Sequence, residues 1–389
     1  MAWIRNPAAL QMRCVRCHRI WPFEEHDYVE GCPACLNSGW PASVKVDYQS
    51  WPNSLTARSI QDWLVYTSSP LLGEGCTPLV EFPVFAEALG VSKFFVKNEA
   101  ANPTGSHKDR MAAMLVQRAT ELGVETVAAA SSGNAGAALA AYAGHAGLSC
   151  VVVTTQDMSP NWRRAVEMHG ATLLCTSTSD ERWNLLAAKS RSGEWYPATN
   201  YLMPPVGSNP IGVDGYRAIA FELFVQMQAN PATDVLVPTS RGDLIWGIAQ
   251  GFADLRDAGL LERLPRVHAV EPFPRIRKCL ENGDYRSIHE GQSAMVSIGG
   301  STVTYQSIKA LRISAGTALA VTDREALDDQ GILARNGLYL ELSSAATLSA
   351  ARSLTVADDE AHSKVIVCLG TSHGYKEYEN SQWPTEVYS

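Results

Sequence analysis

The sequence predicts an α/β fold in which helices cover both faces of a mostly parallel sheet, preceded by a small separate segment. Beyond Trp51, short apolar segments alternate with helical segments almost to the C-terminus. Such alternation is typical of parallel sheets that are buried on both faces. The N-terminal stretch stands apart because it carries four of the nine cysteines in one short run. A chain of 389 residues is long enough for two or three domains.

The four N-terminal cysteines form two C-x2-C pairs, Cys14 with Cys17 and Cys32 with Cys35. Two tight turns of this kind present four thiolates to one tetrahedral ion, so the spacing predicts a structural Zn²⁺ site. A knuckle that has lost its metal is the alternative. A redox pair is disfavoured because two such units share one site more naturally. Charges within residues 1–45 nearly balance and form no basic stripe, so we interpret the segment as a structural cap.

The overall charge argues against two classes of partner. The chain has 32 Lys and Arg against 40 Asp and Glu, a formal net charge of −8. This balance disfavours a protein that coats nucleic acid or anionic membrane. The first residues show no secretory cleavage pattern, and the most apolar run, Ala135 to Val153, is mostly alanine and glycine. We expect a cytoplasmic protein that binds neither nucleic acid nor membrane.

The alternation can be followed segment by segment. Strands are expected at the short apolar segments Phe94 to Lys97, Val124 to Ala130, Cys150 to Thr154, Leu173 to Cys175, Val235 to Val237, Val267 to Val270 and Val365 to Cys368. Helices are expected at Lys108 to Leu122, Ala135 to His145 and Ser159 to His169, where apolar spacing, caps or a following glycine mark them. Ligands of such sheets bind at strand ends, where loops lead into helix N-termini. Three loops of this kind carry the candidate chemistry.

The first loop, Asn102 to Arg110, places Lys108 in the first turn of the following helix. The helix macrodipole opposes a cation there by about 0.3–1 kcal/mol, which lowers the pKa of the amine. A lowered pKa suits a lysine that forms an imine with a carbonyl compound. A surface lysine beside Asp109 is the alternative interpretation.

The second and third loops also run from a strand end into a helix start. Ser131 to Asn134 offers hydroxyls and backbone amides to an anion, with ordinary N-capping as the alternative. Ser240 to Leu244 could hold a phosphate with its amides, the Ser240 hydroxyl and Arg241, although Asp243 could equally be an N-cap. The third loop matches neither a P-loop nor a dinucleotide fingerprint.

Taken together, the loops resemble a known family. The run Asn102-Pro103-Thr104-Gly105-Ser106-His107-Lys108-Asp109-Arg110, followed by Ser131-Ser132-Gly133-Asn134-Ala135, is similar to the fold-type-II enzymes that use pyridoxal 5′-phosphate (PLP), and within them to threonine synthases. The resemblance extends over residues 72–376. It also includes the stretches Ser208 to Arg217, Gly299 to Arg312, Val321 to Asp323, Glu341 to Ala346 and Cys368 to Gly374.

The resemblance implies an architecture like that of the tryptophan synthase β-subunit. Two doubly wound domains would follow the N-terminal knuckle. Residues 1–46 would form the zinc-ribbon-like segment, residues 47–95 and 200–389 the large PLP domain, and residues 96–199 the small α/β domain. Dimers are usual in this family, so a homodimer is expected.

The resemblance also implies a role for each matched residue. Lys108 would hold PLP through an imine bond and later move the Cα proton. Asn134 would bind the phenolic oxygen of the cofactor, and Thr371 would face its pyridine nitrogen. A hydroxyl there does not force that nitrogen to be protonated, which favours elimination and replacement over transamination. The cofactor phosphate would lie on Ser240, Arg241, Gly242, Asp243 and Leu244, and the substrate carboxylate on Ser131, Ser132 and Gly133.

Three departures from the threonine synthase pattern bear on the substrate. Gly212 stands where the family carries an arginine that helps bind the substrate phosphate. Arg241 and Asp243 replace two residues of a phosphate loop that is usually rich in glycine and asparagine, and an arginine there could relocate an anion site. His107 replaces a phenylalanine next to the lysine. It is either an acid–base group at the substrate or a polar packing substitute.

The sequence therefore predicts a PLP-dependent lyase or synthase that acts on a small amino acid. The favoured reaction resembles that of threonine synthase, in which phosphohomoserine and water give threonine and phosphate. β-Replacement on a phosphoserine-type donor, as in cysteate or diaminopropionate synthases, is the alternative within the class. A zinc-ribbon binding protein on an inactive scaffold is the alternative from another class, and the joint presence of Lys108, Asn134 and Thr371 speaks against it.

Overall fold

The computed structural model describes residues 4–24, 27–67, 71–356 and 358–377. Its strands are β1 (Ala9–Cys14), β2 (Ile20–Pro22), β3 (Val44–Tyr48), β4 (Leu79–Glu81), β5 (Lys93–Asn98), β6 (Thr126–Ala130), β7 (Ser149–Thr155), β8 (Thr172–Thr176), β9 (Tyr196–Pro197), β10 (Asp234–Pro238), β11 (Arg266–Glu271), β12 (Ala318–Ala320) and β13 (Val365–Gly370). Its helices are α1 (Pro33–Asn37), α2 (Pro83–Leu89), α3 (Lys108–Glu121), α4 (Asn134–Ala146), α5 (Pro160–Met168), α6 (Ser179–Arg191), α7 (Pro210–Asp214), α8 (Arg217–Gln226), α9 (Asp243–Asp257), α10 (Ile276–Asn282), α11 (Tyr305–Ser314), α12 (Asp323–Arg335) and α13 (Leu342–Thr355). The α/β class that the sequence predicts is confirmed.

The larger sheet has six strands in the order β12-β11-β10-β13-β5-β4. Its strands run parallel except at one edge, where β4 pairs antiparallel with β5. Every residue of the central strands β10 and β13 is buried. Val235 and Val237 of β10 pack into one hydrophobic core and Leu236 into another. Both faces of this sheet are therefore covered, as continuous apolar strands require.

The smaller sheet, in the order β8-β7-β6-β9, is parallel throughout. Helix α4 contacts strands of this sheet and also helix α3, which follows β5 of the larger sheet. The strands of the smaller sheet fall within the expected small domain of residues 96–199. Strand β5 spans the expected boundary between residues 95 and 96 and pairs within the larger sheet. The division into domains stays a prediction.

The N-terminal segment forms its own antiparallel sheet, in the order β2-β1-β3. Polar contacts join it to the rest of the chain. The Tyr48 hydroxyl donates to Asp214 Oδ2 at 2.7 Å, and Arg118 Nε donates to Asp27 Oδ1 at 2.9 Å. The segment is therefore docked on helices α3 and α7.

The expected strands and helices are all present, with strand bounds within two residues of those predicted and helix bounds within one. Strand β4 was not predicted, because it is only three residues long and partly exposed and so lacks a continuous apolar run. Within the described residues, no helix is long and apolar enough to span a membrane.

Candidate functional site

The loops singled out by the sequence meet at one edge of the structure. Helix α3 begins at Lys108, α4 at Asn134 and α9 at Asp243, while Thr371 directly follows β13. A bridge between Ser106 and Ser372 joins the start of α3 to the end of β13. Because the carboxyl ends of parallel strands share one edge of a sheet, residues far apart in sequence converge there.

Lys108 is the first residue of α3, and its amine contacts a tyrosine. Its Nζ donates to the Tyr216 hydroxyl at 3.2 Å. Burial lowers the pKa of Lys108, the charges of Asp243 and Glu341 partly offset this, and Arg241 adds to the lowering. The position at a helix start agrees with the sequence analysis, but burial is the largest cause of the shift. A lowered pKa favours the neutral form of a lysine, which is the form that acts as a nucleophile or base.

His107 is buried and tied to the end of β13. Its Nδ1 lies 3.1 Å from the Thr371 carbonyl oxygen, and its backbone amide donates to the same oxygen at 3.0 Å. A carbonyl only accepts, so Nδ1 carries the hydrogen. Burial lowers the pKa of His107 well below its usual range, and the neighbouring Lys108 charge lowers it further. These contacts suit a neutral histidine that holds α3 against Thr371 better than an acid–base group.

Thr371 belongs to a hydrogen-bonded chain that ends at a buried carboxylate. Its hydroxyl donates to Glu341 Oε1 at 2.6 Å. Ser344 Oγ lies 2.6 Å from Thr371 Oγ1 and accepts the Thr371 backbone amide at 2.8 Å. Since the one hydroxyl hydrogen of Thr371 goes to Glu341, Ser344 must donate to Thr371. The residue expected to face the pyridine nitrogen therefore has a carboxylate directly behind it.

Asn134 is held in one amide orientation by its neighbours. Its Oδ1 accepts from Lys376 Nζ at 2.9 Å and from Ser372 Oγ at 3.2 Å. Its Nδ2 donates to Glu341 Oε2 at 3.3 Å. Two donors and one carboxylate together identify which side of the amide is the oxygen. Lys376 thus brings a second lysine amine to the site, with its pKa lowered to about 8 by burial.

The second loop combines capping with a link to helix α6. Ser131 Oγ accepts the amides of Gly133 and Gly136 at 3.3 and 3.0 Å, so this serine serves the start of α4. Ser132 Oγ lies 2.9 Å from Thr154 Oγ1 and accepts from Arg182 Nη1 at 3.0 Å. The Ser131 hydroxyl therefore caps α4, whereas the Ser132 hydroxyl is bound to the guanidinium of Arg182.

The third loop begins helix α9 in a conformation that requires glycine. Gly242 has φ of 116°, and a Cβ there would lie 2.4 Å from Cβ of Ser307. Asp243 is the first residue of the helix, not its cap, and Gly242 precedes it. The Asp243 carboxylate accepts from Ser208 Oγ at 2.7 Å and so is engaged away from the loop. The first amides of a helix have no partner within it, which leaves them available to an anion.

Two arginines extend this loop. Arg241 Nε donates to Thr302 Oγ1 at 3.1 Å, and its guanidinium carbon lies 5.0 Å from the centre of the Trp183 ring. Arg275 is fully buried, with Nη2 donating to the carbonyl oxygens of Thr239 and Ile298. Its Nε and Nη1 have no hydrogen-bond partner among the described residues.

An adjoining cavity of about 360 Å³ lies at the same edge. Its lining includes Thr104, Gly105, Trp162, His169, His373 and Lys376. The cavity opens beside the amine of Lys376, which also lies 4.9 Å from the Trp162 ring. A pocket with these cationic and aromatic groups has room for a small polar ligand.

The donor set at the edge fits PLP. The amine of Lys108 has a lowered pKa, Thr371 presents a hydroxyl, and the start of α9 offers amides near Arg275, whose Nη1 has no hydrogen-bond partner among the described residues. These groups match an aldehyde, a ring nitrogen and a phosphate, respectively.

The four N-terminal cysteines also come together. Their sulfur atoms all lie within 4.8 Å of one another. Sγ of Cys14 is 3.7 Å from that of Cys35, and Sγ of Cys17 is 3.6 Å from that of Cys32. Zn–S bonds of about 2.3 Å in a tetrahedron would separate the sulfurs by about 3.8 Å. The cluster therefore fits a structural Zn²⁺ ion.

Four functional candidates were missed by the sequence analysis, namely Tyr216, Glu341, Lys376 and Arg182. Tyr216 and Glu341 lie within stretches that carry the family resemblance, but no role was attached to them. Lys376 is the last residue of that resemblance, and Arg182 lies in a helix that the sequence analysis did not delimit. Tyr216 and Glu341 stand in mostly apolar stretches, which was an available signal, whereas Lys376 and Arg182 have polar neighbours in the sequence and gave none.

Comparisons with known proteins agree with this geometry. Residues 70–372 match the family described as "Pyridoxal-phosphate dependent enzyme". Among curated relatives, the threonine synthase of Methanosarcina acetivorans is 30% identical and that of Methanocaldococcus jannaschii 29% identical, each over 382 residues, 94% of this chain and 92% of the relative. Among solved structures, maize serine racemase superposes with a TM-score of 0.68 at 18% identity over 82% of this chain and 93% of that chain. An O-ureido-L-serine synthase superposes with a TM-score of 0.64 at 22% identity, over 79% of this chain and 92% of that chain. These structures share the fold.

Proposed function

The chain belongs to the family of pyridoxal-phosphate dependent enzymes, and on this premise we propose that it is a lyase or synthase of the threonine synthase type. Its substrate would be an amino acid whose side chain ends in a phosphate ester, such as O-phosphohomoserine. The observation that carries the proposal is that Lys108, Thr371 and the α9 loop, at the strand ends of the larger sheet, lie beside Asn134, which follows β6 of the smaller sheet. The similarity to two threonine synthases over nearly the whole chain supports the choice of reaction.

When bound, PLP supplies a conjugated ring that stabilises negative charge on the Cα of an amino acid. The residues of this chain would do the rest. Lys108, Asn134, Thr371 and the amides from Ser240 to Leu244 would hold the cofactor. Lys108 would take the Cα proton and return it, and the lowering of its pKa by burial favours the neutral amine that this role needs. The Tyr216 hydroxyl, 3.2 Å from Nζ, would keep the amine oriented.

The binding of the substrate is assigned to the second loop. Ser132 and the amides at the start of α4 would take the α-carboxylate, since helix N-termini favour anions. Thr371 presents a hydroxyl where a transaminase-like site would present a carboxylate, which supports elimination and replacement. The N-terminal cysteines would hold a structural Zn²⁺ ion that takes no part in the reaction.

The test is cofactor content together with phosphate release. The purified protein should be yellow and contain about one PLP per chain. It should also release phosphate from O-phosphohomoserine. Lys108→Ala should lose the covalent cofactor and the activity, whereas Lys278→Ala, at an exposed position on α10, should keep both. A colourless wild-type protein would refute the proposal.

A comparison of two phosphorylated donors, O-phosphohomoserine and O-phosphoserine, separates reaction at the γ-carbon from reaction at the β-carbon. Phosphate released from O-phosphoserine but not from O-phosphohomoserine would replace the threonine synthase reaction by β-replacement. If neither donor releases phosphate, the proposal of a phosphorylated substrate is refuted, whereas membership of the PLP enzyme family is unaffected.

A further inference from the structure

Arg182 and Arg241 belong to the two different α/β units and lie close enough beside the proposed site for the charge of one to affect the other. Arg182 belongs to α6 on the smaller sheet, and Arg241 follows β10 of the larger one. The guanidinium of Arg241 reaches across to α6, where it lies 5.0 Å from the Trp183 ring. Arg182 in turn donates to Ser132 in the loop proposed for the substrate carboxylate. The two side chains thus extend from the substrate loop to the phosphate loop.

Neither arginine has a carboxylate partner. Among the described residues, no Asp or Glu oxygen lies within 4.0 Å of either guanidinium group. Buried arginines elsewhere among the described residues have carboxylate partners: Arg110 pairs with Glu99, Arg118 with Asp27, Arg217 with Asp254 and, more distantly at 3.7 Å, Arg275 with Glu271. Nε of Arg182 is buried and finds no hydrogen-bond partner within the described part of the chain. Asp157 and Asp243 act on these cations only from beyond ion-pair distance, and a partly buried cation without a directly paired carboxylate is stabilised when an anion joins it.

A third arginine and an empty glycine position add to this arrangement. A Cβ built on Gly300 would lie 3.4 Å from Ser240 Oγ and 3.9 Å from both Arg241 Nη2 and Arg275 Nη1. Nη1 of Arg275 has no hydrogen-bond partner among the described residues, and the side chain is fully buried. A hydroxyl and two guanidinium groups therefore converge on a space that glycine leaves open.

The electrostatics agree with an anion in this place. Burial lowers the pKa of Arg241, Asp243 partly offsets this, and the charge of Arg182 lowers it further. Burial likewise lowers the pKa of Arg182. Both groups remain cationic at neutral pH, so each would be stabilised by an anion between them.

The position of the family's phosphate-binding arginine cannot serve in this chain. Gly212 lies in α7, and a Cβ there would be 2.9 Å from Met111 Cγ and 3.2 Å from the Met111 carbonyl oxygen. A side chain at that position would require Met111 to move, and the glycine present offers no cation to the substrate.

We propose that Arg182 and Arg241, supported from behind by Arg275, form an anion clamp that binds the phosphate ester of the substrate side chain. This inference rests on the proposed function, because it names the group that the substrate of that site must carry. The clamp takes a phosphate in addition to that of the cofactor. It selects amino acids with an anionic side chain over uncharged analogues.

The first test is binding of inorganic phosphate to the PLP-loaded enzyme by calorimetry. Because the cofactor fills its own phosphate site, binding to the holoenzyme reports a second one. Arg182→Gln and Arg241→Gln should each weaken phosphate binding by about tenfold, the usual effect of losing one charge-assisted hydrogen-bonding group. Arg164→Gln, at an exposed position on α5, should bind phosphate like the wild type. Cofactor absorbance and melting temperature verify that each variant is folded.

The second test compares donors. With Arg182→Gln, KM should rise about tenfold more for the phosphorylated amino acid than for the acetyl ester of the same amino acid, because the ester also reports any change at Ser132. The clamp is overturned if the wild-type holoenzyme binds no phosphate, if both variants bind it unchanged, or if they lose PLP while KM for the phosphorylated donor holds.

The two proposals fail separately. Turnover of a phosphorylated donor with an unchanged KM in Arg182→Gln would remove the clamp and leave the proposed function. Phosphate binding that depends on both arginines, without turnover of any phosphorylated amino acid, would remove the proposed function and leave the clamp.

Discussion

At the scale of single residues, the site depends on side chains whose orientation is fixed by their neighbours. Asn134 accepts from Lys376 and donates to Glu341, so a cation and an anion fix the amide from opposite sides. Lys108 is held by the hydroxyl of Tyr216. The partners in the pairs Asn134–Lys376 and Lys108–Tyr216 are 242 and 108 positions apart in the chain. Local sequence therefore identifies the lysine and the asparagine but not the groups that orient them.

Lys376 leads to a prediction on pH dependence. Burial lowers its pKa to about 8, while Asp109 and Glu341 partly offset the lowering. The side chain is cationic below pH 8 and neutral above it, so its attraction for an anionic substrate falls as the pH rises through about 8. We expect KM to rise above this pH in the wild type. The inflection should be absent from Lys376→Met, whose KM should be high throughout. Rate measurements across the neutral and mildly alkaline range decide this, with Lys278→Met as the control; an inflection that persists in Lys376→Met would contradict it.

At the scale of elements, helix α3 is held at both ends by ion pairs. Arg110 in its first turns donates to Glu99 Oε2 at 2.6 Å and to Glu222 Oε1 at 2.7 Å, with all three side chains at most 3% exposed. Lys97 of β5 donates to Glu222 Oε2 at 2.6 Å. Arg118 near the other end pairs with Asp27 of the N-terminal segment. Such pairs fix the start of α3, and with it Lys108, relative to the larger sheet.

The predicted effect of breaking this network is a large loss of stability. Arg110→Met leaves two buried carboxylates with fewer partners, which should lower the free energy of unfolding by about 3–5 kcal/mol. Arg312→Met, at an exposed position on α11, should change it by less than about 0.5 kcal/mol. Urea unfolding measures both values. An equal, small effect of the two changes would show that the network contributes little.

The network also has a pH signature. Burial alone would raise the pKa of Glu222, but Arg110 and Lys97 lower it to about 2. A carboxyl group with a lowered pKa in the folded state stabilises the fold above its unfolded value of about 4.5, and that contribution is lost as the pH falls from there towards 2. In Arg110→Met this loss on acidification should be smaller.

At the scale of the whole molecule, the cysteine segment contacts both helix α3 and the smaller sheet with its helices. Asp27 accepts from Arg118 of α3 and from the Tyr196 hydroxyl of β9. Glu30 pairs with Arg191 of α6. The segment therefore contacts the helix that carries Lys108 as well as the smaller sheet, although it lies outside the α/β alternation.

Removal of metal should therefore destabilise the whole enzyme and not only its N-terminus. Cys32→Ser should lose the roughly one zinc per chain expected of a four-cysteine site and lower the melting temperature, because metal binding contributes to folding free energy. Cys175→Ser, at an exposed position outside the cluster, should keep both the metal and the melting temperature. Elemental analysis and thermal unfolding provide the measurements. Wild-type protein without zinc, when purified in the absence of chelators, would refute the metal site.

The sequence by itself determined the α/β class, the positions of the predicted strands along the chain, the cysteine pairs and the family. Each of these depends on local periodicity or on short motifs. It also placed Lys108 at a helix start, since the turn residues and the apolar spacing after them are local features of the chain. The tertiary structure decided which side chains meet. Tyr216, Glu341, Lys376 and Arg182 reach the site only because parallel strands with crossover helices bring separate loops to one edge. The structure also favoured a packing role over an acid–base role for His107, and it showed that Asp243 begins α9 and does not cap it. Both results rest on burial and hydrogen-bond partners, which the local sequence does not specify.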